Sequence, residues 1–284
     1  MLICNGWKDY ELLDCGGGER LERWGKYILR RPDPQAAFPR GAETMWSRAD
    51  AVYTRIGGGG SWTKKDVPES WTIGYGDLRF SVKPMNFKHT GLFPEQAANW
   101  DRCRELIESS NRKIKVLNLF AYTGGATVAC AKAGASVTHV DAAKGMVQTA
   151  KENAALSGLA DAPIRYIVDD CKKFAEREIR RNSFYDAVIM DPPSYGRGPG
   201  GEVWKIEDML YPMIELCTRL LTEKPLFFLV NSYTTGLSPC TVEYILKTLL
   251  KKHGGETSSD ELGIISKASG LPLPCGASAF WQAE

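Results

Sequence analysis

The chain has 284 residues, of which 43% are hydrophobic and 25% charged, and its formal net charge is +2. These values exclude a disordered or fibrous chain and a polybasic tail, so any contact with nucleic acid has to come from a local patch. No apolar run is long enough to span a bilayer, and no charged segment precedes a signal-like apolar stretch, which favours a cytoplasmic protein without membrane contact. Eight cysteines without C-x-x-C spacing predict reduced thiols and no metal site.

Residues 1–85 differ from the rest because they hold five of the eight tryptophans and the glycine runs 16–18 and 57–60. Short aromatic and β-branched stretches lie between turn residues, at 10–13, 27–30, 51–56, 71–75 and 78–82. This pattern predicts hairpins in a small, mostly antiparallel sheet. We therefore predict a β-rich N-terminal domain over residues 1–85, with a role in substrate binding, and a second domain over residues 86–284.

The segment 30–34 reads Arg-Arg-Pro-Asp-Pro, and its prolines predict a stretch without regular structure. Two interpretations stay open: an edge that contacts a polyanion, or a rigid, solvated loop with ion pairs. Residues 84–99 then form a connector in which Lys88 and His89 are candidates for substrate contact, and residues 95–108 have helical texture.

From residue 114 onward strands and helices alternate regularly. Strands are predicted at 115–119, 137–140, 164–168, 185–190 and 226–230, and helices at 126–133, 143–157, 171–180, 207–221 and 241–252. Extended segments at 262–266 and 277–282 end the pattern and could form an antiparallel edge. Repeated βα units imply right-handed crossovers, so the predicted fold class is α/β with a Rossmann-like, mostly parallel sheet.

Polar groups follow four successive predicted strands: the turn 120–125, Asp141, Asp169 with Asp170, and the stretch 191–195, which reads Asp-Pro-Pro-Ser-Tyr. Because the carboxyl ends of parallel strands share one edge of a sheet, these groups should converge there. Asp141 is suited to hold ribose hydroxyls, and Asp170, or else Asp169, to accept an adenine amine. Each acidic residue alone could instead be a helix N-cap.

The first turn contains only Gly124 and Gly125, side by side, so it lacks the G-x-G-x-x-G spacing that a dinucleotide requires. This favours a ligand with ribose and adenine but no pyrophosphate, such as S-adenosylmethionine. A nicotinamide dehydrogenase is disfavoured by the same missing glycines.

The stretches that carry these groups read LNLFAYTGG, HVDAAKGMVQTAKENAALSGL, DD and VIMDPPSY, with HTGLFPEQ ahead of them. Together they resemble class I S-adenosylmethionine-dependent methyltransferases, in particular the bacterial 23S ribosomal RNA methyltransferases that make 5-methylcytosine or 7-methylguanine. The resemblance covers roughly residues 85–235. It implies RNA, ribosomal RNA in particular, as partner, and a cofactor pocket lined by Phe120, Ala121, Tyr122, Thr123, Gly124, Asp141, Ala142, Asp170, Cys171 and Asp191.

Two features depart from that family. The N-terminal segment does not match its usual RNA-binding module, and Tyr233 stands where 5-methylcytosine enzymes have a nucleophilic cysteine. Transfer to a nitrogen is therefore the leading hypothesis, and transfer to oxygen stays open. The predicted catalytic residues are Asp191, Pro192, Pro193 and Tyr195, and the predicted substrate contacts are Lys88, His89, Ser194 and Tyr233.

Two other functions stay open, a methyltransferase acting on a small molecule or protein and a non-catalytic nucleoside-binding module. The sequence does not decide the oligomeric state, a homodimer included.

Overall fold

Seventeen strands and six α-helices form within residues 1–57, 59–197 and 203–284, the part of the chain that this computed structural model describes. The chain divides into two units, Met1–Ala98 with Leu262–Cys275, and Asn99–Glu261 with Gly276–Glu284. Within the described ranges, no helix has the length and apolar character that crossing a membrane requires.

The first unit is built almost entirely of strands. They are β1 (Leu2–Ile3), β2 (Tyr10–Gly16), β3 (Glu19–Trp24), β4 (Tyr27–Pro32), β5 (Ala51–Ile56), β6 (Gly59–Lys64), β7 (Trp71–Tyr75) and β8 (Leu78–Val82), with 3₁₀ turns at Glu43–Arg48 and Pro94–Gln96. Strands β2 to β6 form one sheet in chain order, and β7 pairs with β8. All neighbours are antiparallel except β4 and β5, so the β-rich character predicted for the N-terminal part is confirmed.

The expected lack of regular structure was wrong for residues 30–32, whereas residues 33 and 34 do lie outside the strands and the expected ion pairs are present. Arg30 and Arg31 lie within β4, and the side chains of Arg31 and Asp33 are buried. Neither a solvated loop nor a polyanion-binding edge describes Arg31, because Glu22 binds its guanidinium through two hydrogen bonds of 2.5 and 2.9 Å.

The second unit contains the α/β alternation. Its elements are α1 (Ala97–Ser109), β9 (Lys115–Leu119), α2 (Gly125–Lys132), β10 (Ser136–Asp141), α3 (Lys144–Leu156), β11 (Ile164–Val168), α4 (Cys171–Arg180), β12 (Ala187–Met190), β13 (Tyr195–Arg197), β14 (Val203–Lys205), α5 (Ile206–Thr218), β15 (Phe227–Ser232) and α6 (Pro239–Leu250). Two last strands, β16 (Glu256–Ile265) and β17 (Pro272–Gln282), are divided between the units, because Leu262–Cys275 belongs to the first. A 3₁₀ turn, Lys251–His253, follows α6. Part of the predicted glycine-rich loop, residues 198–201, lies outside the described residues.

The main sheet has eight strands in the order β1-β16-β17-β15-β12-β9-β10-β11. Strands β15, β12, β9, β10 and β11 pair in parallel, and β17 pairs antiparallel with β15. The predicted fold class, a mostly parallel Rossmann-like sheet with an antiparallel edge, is therefore confirmed.

Helices cover both faces of this sheet, which explains why its central strands are mostly apolar and mostly buried. On one face, Leu117 and Val188 pack with residues of α4, α5 and α6. On the other, Val116 and Ile189 pack with residues of α1 and α2. Burial on both faces fixes the strands, and thereby the positions of the loops that leave their carboxyl ends.

Candidate cofactor and acceptor site

The turn between β9 and α2 has an unusual backbone. Phe120 and Tyr122 both have positive φ values, 54° and 50°. Residues other than glycine seldom adopt this left-handed region of the backbone. The turn is anchored on two sides: Phe120 N–H donates to Cys171 Sγ at 3.2 Å, and Ala121 N–H donates to the Val140 carbonyl at 3.1 Å. These contacts hold the turn at the carboxyl edge of the sheet.

The two glycines of this turn serve helix packing. Gly124 has a φ of +83°, and a Cβ there would lie 2.7 Å from the Cβ of Ala150 on α3. A Cβ on Gly125 would lie 2.5 Å from the Trp100 ring on α1. Glycine is therefore required because α1 and α3 lie so close to the turn.

Asp141, at the end of β10, connects the first two loops. Its Oδ2 accepts the Tyr122 N–H and its Oδ1 accepts the Ala143 N–H, both at 2.8 Å. Burial raises the pKa of this carboxyl group, and the two backbone hydrogen bonds oppose that rise. Because each carboxylate oxygen can accept two hydrogen bonds, both oxygens retain an acceptor position.

The acidic pair after β11 separates into two roles. Asp170 is the N-cap of α4, where its Oδ1 accepts the Lys173 N–H at 2.9 Å, as the N-cap alternative for that residue predicts. Asp169 forms an ion pair with Arg177 and accepts the Asp170 N–H. The backbone N–H of Asp169 donates to the Asp141 carbonyl at 3.1 Å, so this pair follows directly on the Asp141 loop.

The turn after β12 begins at Asp191, whose N–H donates to the Leu119 carbonyl at 3.3 Å, beside the Phe120 turn. The Pro193 carbonyl accepts the indole N–H of Trp204, and the Trp204 ring lies 5.0 Å from the ring of Phe120. Trp204 thereby connects the turn after β9 with the turn after β12. Tyr195 is the first residue of β13 and is 53% exposed.

The loop after β15 also reaches this turn. The hydroxyls of Ser194 and Thr234 lie 2.7 Å apart. Next to Thr234, the ring of Tyr233 covers Gly276, where a Cβ would lie only 2.6 Å from the ring. The structure thus brings Ser194 and Tyr233 to neighbouring loops at one sheet edge, with the turns that contain Phe120, Asp141 and Asp191.

A family model described as S-adenosylmethionine-dependent methyltransferase matches residues 51–218. The chain belongs to this family. Consistent with that, this methyltransferase is 37% identical to the crystal structure of the SAM-dependent methyltransferase from Agrobacterium tumefaciens, with a TM-score of 0.95 over 100% of this chain and 93% of that one. The structure of SMU.776 complexed with SAH shares the fold, with a TM-score of 0.73, 19% identity, and coverage of 98% of this chain and 76% of that one.

A curated relative is the ribosomal RNA large subunit methyltransferase K/L of Shewanella frigidimarina, 34% identical over 146 residues. The match covers 49% of this methyltransferase and spans only 19% of that relative's length. The methyltransferase uses S-adenosylmethionine, and the site fits that cofactor because Asp141 offers two acceptor positions next to the anchored Phe120–Gly124 turn.

Several residues that support this edge were not identified from the sequence. Below the first turn, Asn118 Nδ2–H donates to Thr127 Oγ1, which lies 2.9 Å from Nδ1 of the buried His139. Trp204 and Thr234 were missed as well, because both act through contacts distant in sequence. The one available signal was that His139 and Asn118 are polar residues inside otherwise apolar strands.

Lys88 and His89 belong to the first unit, in a loop where the Met85 N–H donates to the His89 carbonyl. Of the cysteines, seven are buried and Cys240 is exposed. Within the described ranges no group of three or more His, Cys, Asp or Glu has metal-binding geometry.

Proposed function

We propose that this methyltransferase transfers a methyl group from S-adenosylmethionine to a nitrogen of an RNA base, with ribosomal RNA as the substrate. The observation that carries the proposal is the acceptor edge itself. There the Asp191–Ser194 turn meets the Tyr233–Thr234 loop through a hydroxyl pair, with a phenol at the position where carbon methylation would require a thiol.

On the cofactor side, Asp141 holds the ribose hydroxyls, and the turn 120–124 meets the amino-acid part. Ala142 and Cys171 flank this pocket, and the second oxygen of Asp170 takes the adenine amine while the first caps α4. The cofactor supplies a methyl group on a positively charged sulfur. The loops hold it in place, because the largely buried strands β9, β10 and β12 position three of them.

On the acceptor side, Asp191 and the backbone of Pro192 and Pro193 orient the base, and Tyr195 stacks on it. A base nitrogen with a lone pair is already nucleophilic, so the protein has only to align it with the sulfonium methyl and exclude water. Alignment of this kind can lower a barrier by up to about 7–11 kcal/mol. Ser194 and Tyr233 line the path of the base.

Carbon methylation of a pyrimidine requires a thiolate. Cys171 lies at the first turn, but burial raises its pKa well above the usual range, and its Sγ accepts the Phe120 N–H. Burial likewise raises the thiol pKa of Cys217 and Cys275. The burial of Cys171, Cys217 and Cys275 disfavours a thiolate at these three positions and supports nitrogen as the acceptor. Cys240 is exposed in the first turn of α6.

The RNA substrate is supported by the similarity to curated relatives named ribosomal RNA large subunit methyltransferases. It is tested by incubating the protein with tritiated S-adenosylmethionine and unmodified large-subunit ribosomal RNA or transfer RNA. Label in the ribosomal RNA, mapped to one base nitrogen by mass spectrometry, is the expected result. An unlabelled outcome with both RNAs would refute the substrate assignment, and label on protein or small molecules would redirect it.

The choice of nitrogen over carbon is tested separately with RNA containing 5-fluorocytidine. An enzyme that methylates carbon 5 through a thiol becomes trapped as a covalent adduct, because the fluorine cannot leave as the proton does. We expect no adduct on a denaturing gel. An adduct that disappears in Cys240→Ser would overturn the nitrogen assignment.

A further inference from the structure

A buried ion-pair network in the first unit is balanced in charge. Arg20 pairs with Asp33, and Arg31 pairs with Glu22, which also accepts the Tyr10 hydroxyl at 2.7 Å. Burial alone would raise the pKa of Glu22, but Arg31 and Arg20 outweigh it and hold that pKa at about 2. Both carboxylates of this network are therefore committed to the two arginines.

Lys88 lies beside this network without a carboxylate of its own. Its loop is closed by the Lys83 N–H to the Thr90 carbonyl (3.0 Å) and the Met85 N–H to the His89 carbonyl (3.2 Å). Within the described ranges, the only hydrogen bond of its ammonium is a long one, 3.4 Å, to the Pro32 carbonyl. Burial lowers the pKa of Lys88, and Arg31, Arg20 and Arg55 lower it further, against the opposing effect of Asp33.

Arg55 adds to the same excess of positive charge. It lies on the exposed half of β5, and its guanidinium has no ion pair or hydrogen bond among the residues that the structure describes. Because the nearby carboxylates already bind Arg20 and Arg31, the charges of Lys88 and Arg55 are uncompensated. An anion supplied from outside would relieve this repulsion.

Aromatic residues flank these two cations: Phe87 precedes Lys88, and Trp62 on β6 pairs with Tyr53, two residues before Arg55 on β5. Phe87 is 43% exposed, and its carbonyl accepts the indole N–H of Trp62 at 3.1 Å, which ties the loop to β6. The ring of His89 lies 5.3 Å from Phe87 and 5.1 Å from Phe93. Burial and then Arg31 lower the pKa of His89 to about 3, so its ring is neutral at pH 7.

We infer that Arg55, Trp62, Phe87 and Lys88, here named the basic-aromatic patch, bind a single-stranded segment of the RNA substrate. Phosphates contact Lys88 and Arg55, and a base stacks on the exposed Phe87 ring. Cations interleaved with exposed rings match the alternation of phosphate and base in a single strand, whereas an acidic peptide would use only the cations. The identity of the partner rests on the proposed function, and the patch is a separate site on the first unit.

The test measures binding of a fluorescein-labelled single-stranded RNA oligonucleotide at several salt concentrations. Lys88→Gln and Arg55→Gln should each weaken binding and lower the slope of log affinity against log salt by roughly 0.7, the value for one lost phosphate contact on a single strand. Phe87→Ala should weaken binding about fivefold or more without changing the slope, because it removes stacking and no charge. Duplex RNA of equal length should bind less tightly.

Lys26→Gln is the matched control. Lys26 is exposed at the start of β4, whereas Lys88 contacts Pro32 at the other end of that strand, so both variants lose one charge at opposite ends. Wild-type affinity and slope are expected for Lys26→Gln. Each variant's affinity for S-adenosylmethionine, measured by calorimetry, verifies that it has folded.

Failure of the patch and failure of the proposed function give different results. If Lys88→Gln and Arg55→Gln keep the wild-type affinity and slope, the patch is refuted even where ribosomal RNA is methylated. If the patch variants lose binding but no RNA is ever labelled, the patch stands and the proposed reaction fails. Equal losses in Lys26→Gln and Lys88→Gln would show diffuse charge and also refute the patch.

Discussion

Asp141 is central to the proposed cofactor edge, because it stabilises the first turn and is the proposed holder of the ribose. Its carboxylate stabilises the left-handed Tyr122 by accepting the N–H of that residue, and left-handed conformations of non-glycine residues cost on the order of 1–3 kcal/mol. The same oxygens keep positions for a ribose. The sequence predicted the second task from the place of Asp141 at a strand end, but not the first.

Asp141→Asn should weaken S-adenosylmethionine binding by about tenfold or more, since a hydrogen bond to a charged group is worth about 1.5–3 kcal/mol. The amide would also turn an N–H donor toward one of the two backbone donors, Tyr122 or Ala143. Calorimetry measures the affinity. Asp161→Asn, an exposed carboxylate in the loop before β11, is the control and should bind as wild type. Unchanged affinity in Asp141→Asn would refute its assignment.

His139 makes stability depend on pH. Burial lowers its pKa to about 4, below the ordinary value of 6.5, so the folded state keeps the imidazole neutral while the unfolded state binds a proton. The stability is fully present above pH 6.5 and is lost as the pH falls from 6.5 toward 4. At about 1.4 kcal/mol per pKa unit, the loss is on the order of 3 kcal/mol.

We therefore expect urea unfolding at pH 7 and pH 4.5 to show a smaller loss of stability on acidification for His139→Asn than for the wild type. Asparagine can still accept a hydrogen bond from Thr127, and the other two histidines are unchanged in both proteins. Parallel pH profiles for the two proteins would contradict this assignment.

Individual elements differ in how well the sequence predicts them, and burial of charge explains the difference. Strand β9 was predicted to the residue, because its buried stretch from Val116 to Leu119 is mostly apolar. Strand β11 was also predicted to the residue from its sequence IRYIV, although it is the edge strand and none of its residues is fully buried. Strand β3 was missed because its sequence, ERLERW, contains four charged residues, of which Arg20 and Glu22 are buried as members of the ion-pair network. Charges that neutralise one another inside a sheet look like a solvated loop in sequence.

The same contrast applies to the candidate site. The positions of Asp141 and Asp191 at one edge follow from parallel strand ends, which sequence periodicity reveals. The contacts of Trp204 with Phe120 and of Thr234 with Ser194 could not be predicted, since they depend on how loops 40 or more residues apart in sequence meet. The site residue assignments themselves stay predictions.

The close packing of α2 against α3 should make Gly124 far less replaceable than Gly134. Gly134→Ala adds only the strain of a left-handed alanine, roughly 1–2 kcal/mol, because nothing lies within 4 Å of the added Cβ. Gly124→Ala adds similar strain and a 2.7 Å clash with Ala150. We expect a larger loss of unfolding free energy, and weaker S-adenosylmethionine binding in Gly124→Ala alone. Equal effects of the two substitutions would contradict the packing role.

At the scale of the whole molecule, the chain does not divide into two units at a single boundary, because a late segment belongs to the first unit. The sequence predicts domains at 1–85 and 86–284, and these limits stay a prediction. In the structure, Leu262–Cys275 returns to the first unit, where Leu2 pairs with Leu262 and the Lys267 N–H donates to the Leu12 carbonyl at 2.9 Å.

A fragment of residues 86–284 should therefore be unstable, because it lacks the backbone partners of Leu262–Ala268 and leaves strand edges open. Size-exclusion chromatography is expected to show aggregation, with hydrogen exchange fastest in residues 262–275. The full chain is the control. A monomeric fragment that binds S-adenosylmethionine as tightly as the full chain would show that the returning segment needs no partners.

This returning segment also constrains how the protein is made. Strand β17 gives its first four residues to the first unit and the rest to the second, where the stretch from Ala277 to Gln282 pairs with β15. During synthesis neither unit can close before these residues leave the ribosome. Folding therefore completes only after translation of this stretch. A premature stop codon before it would remove residues that both units need in order to fold.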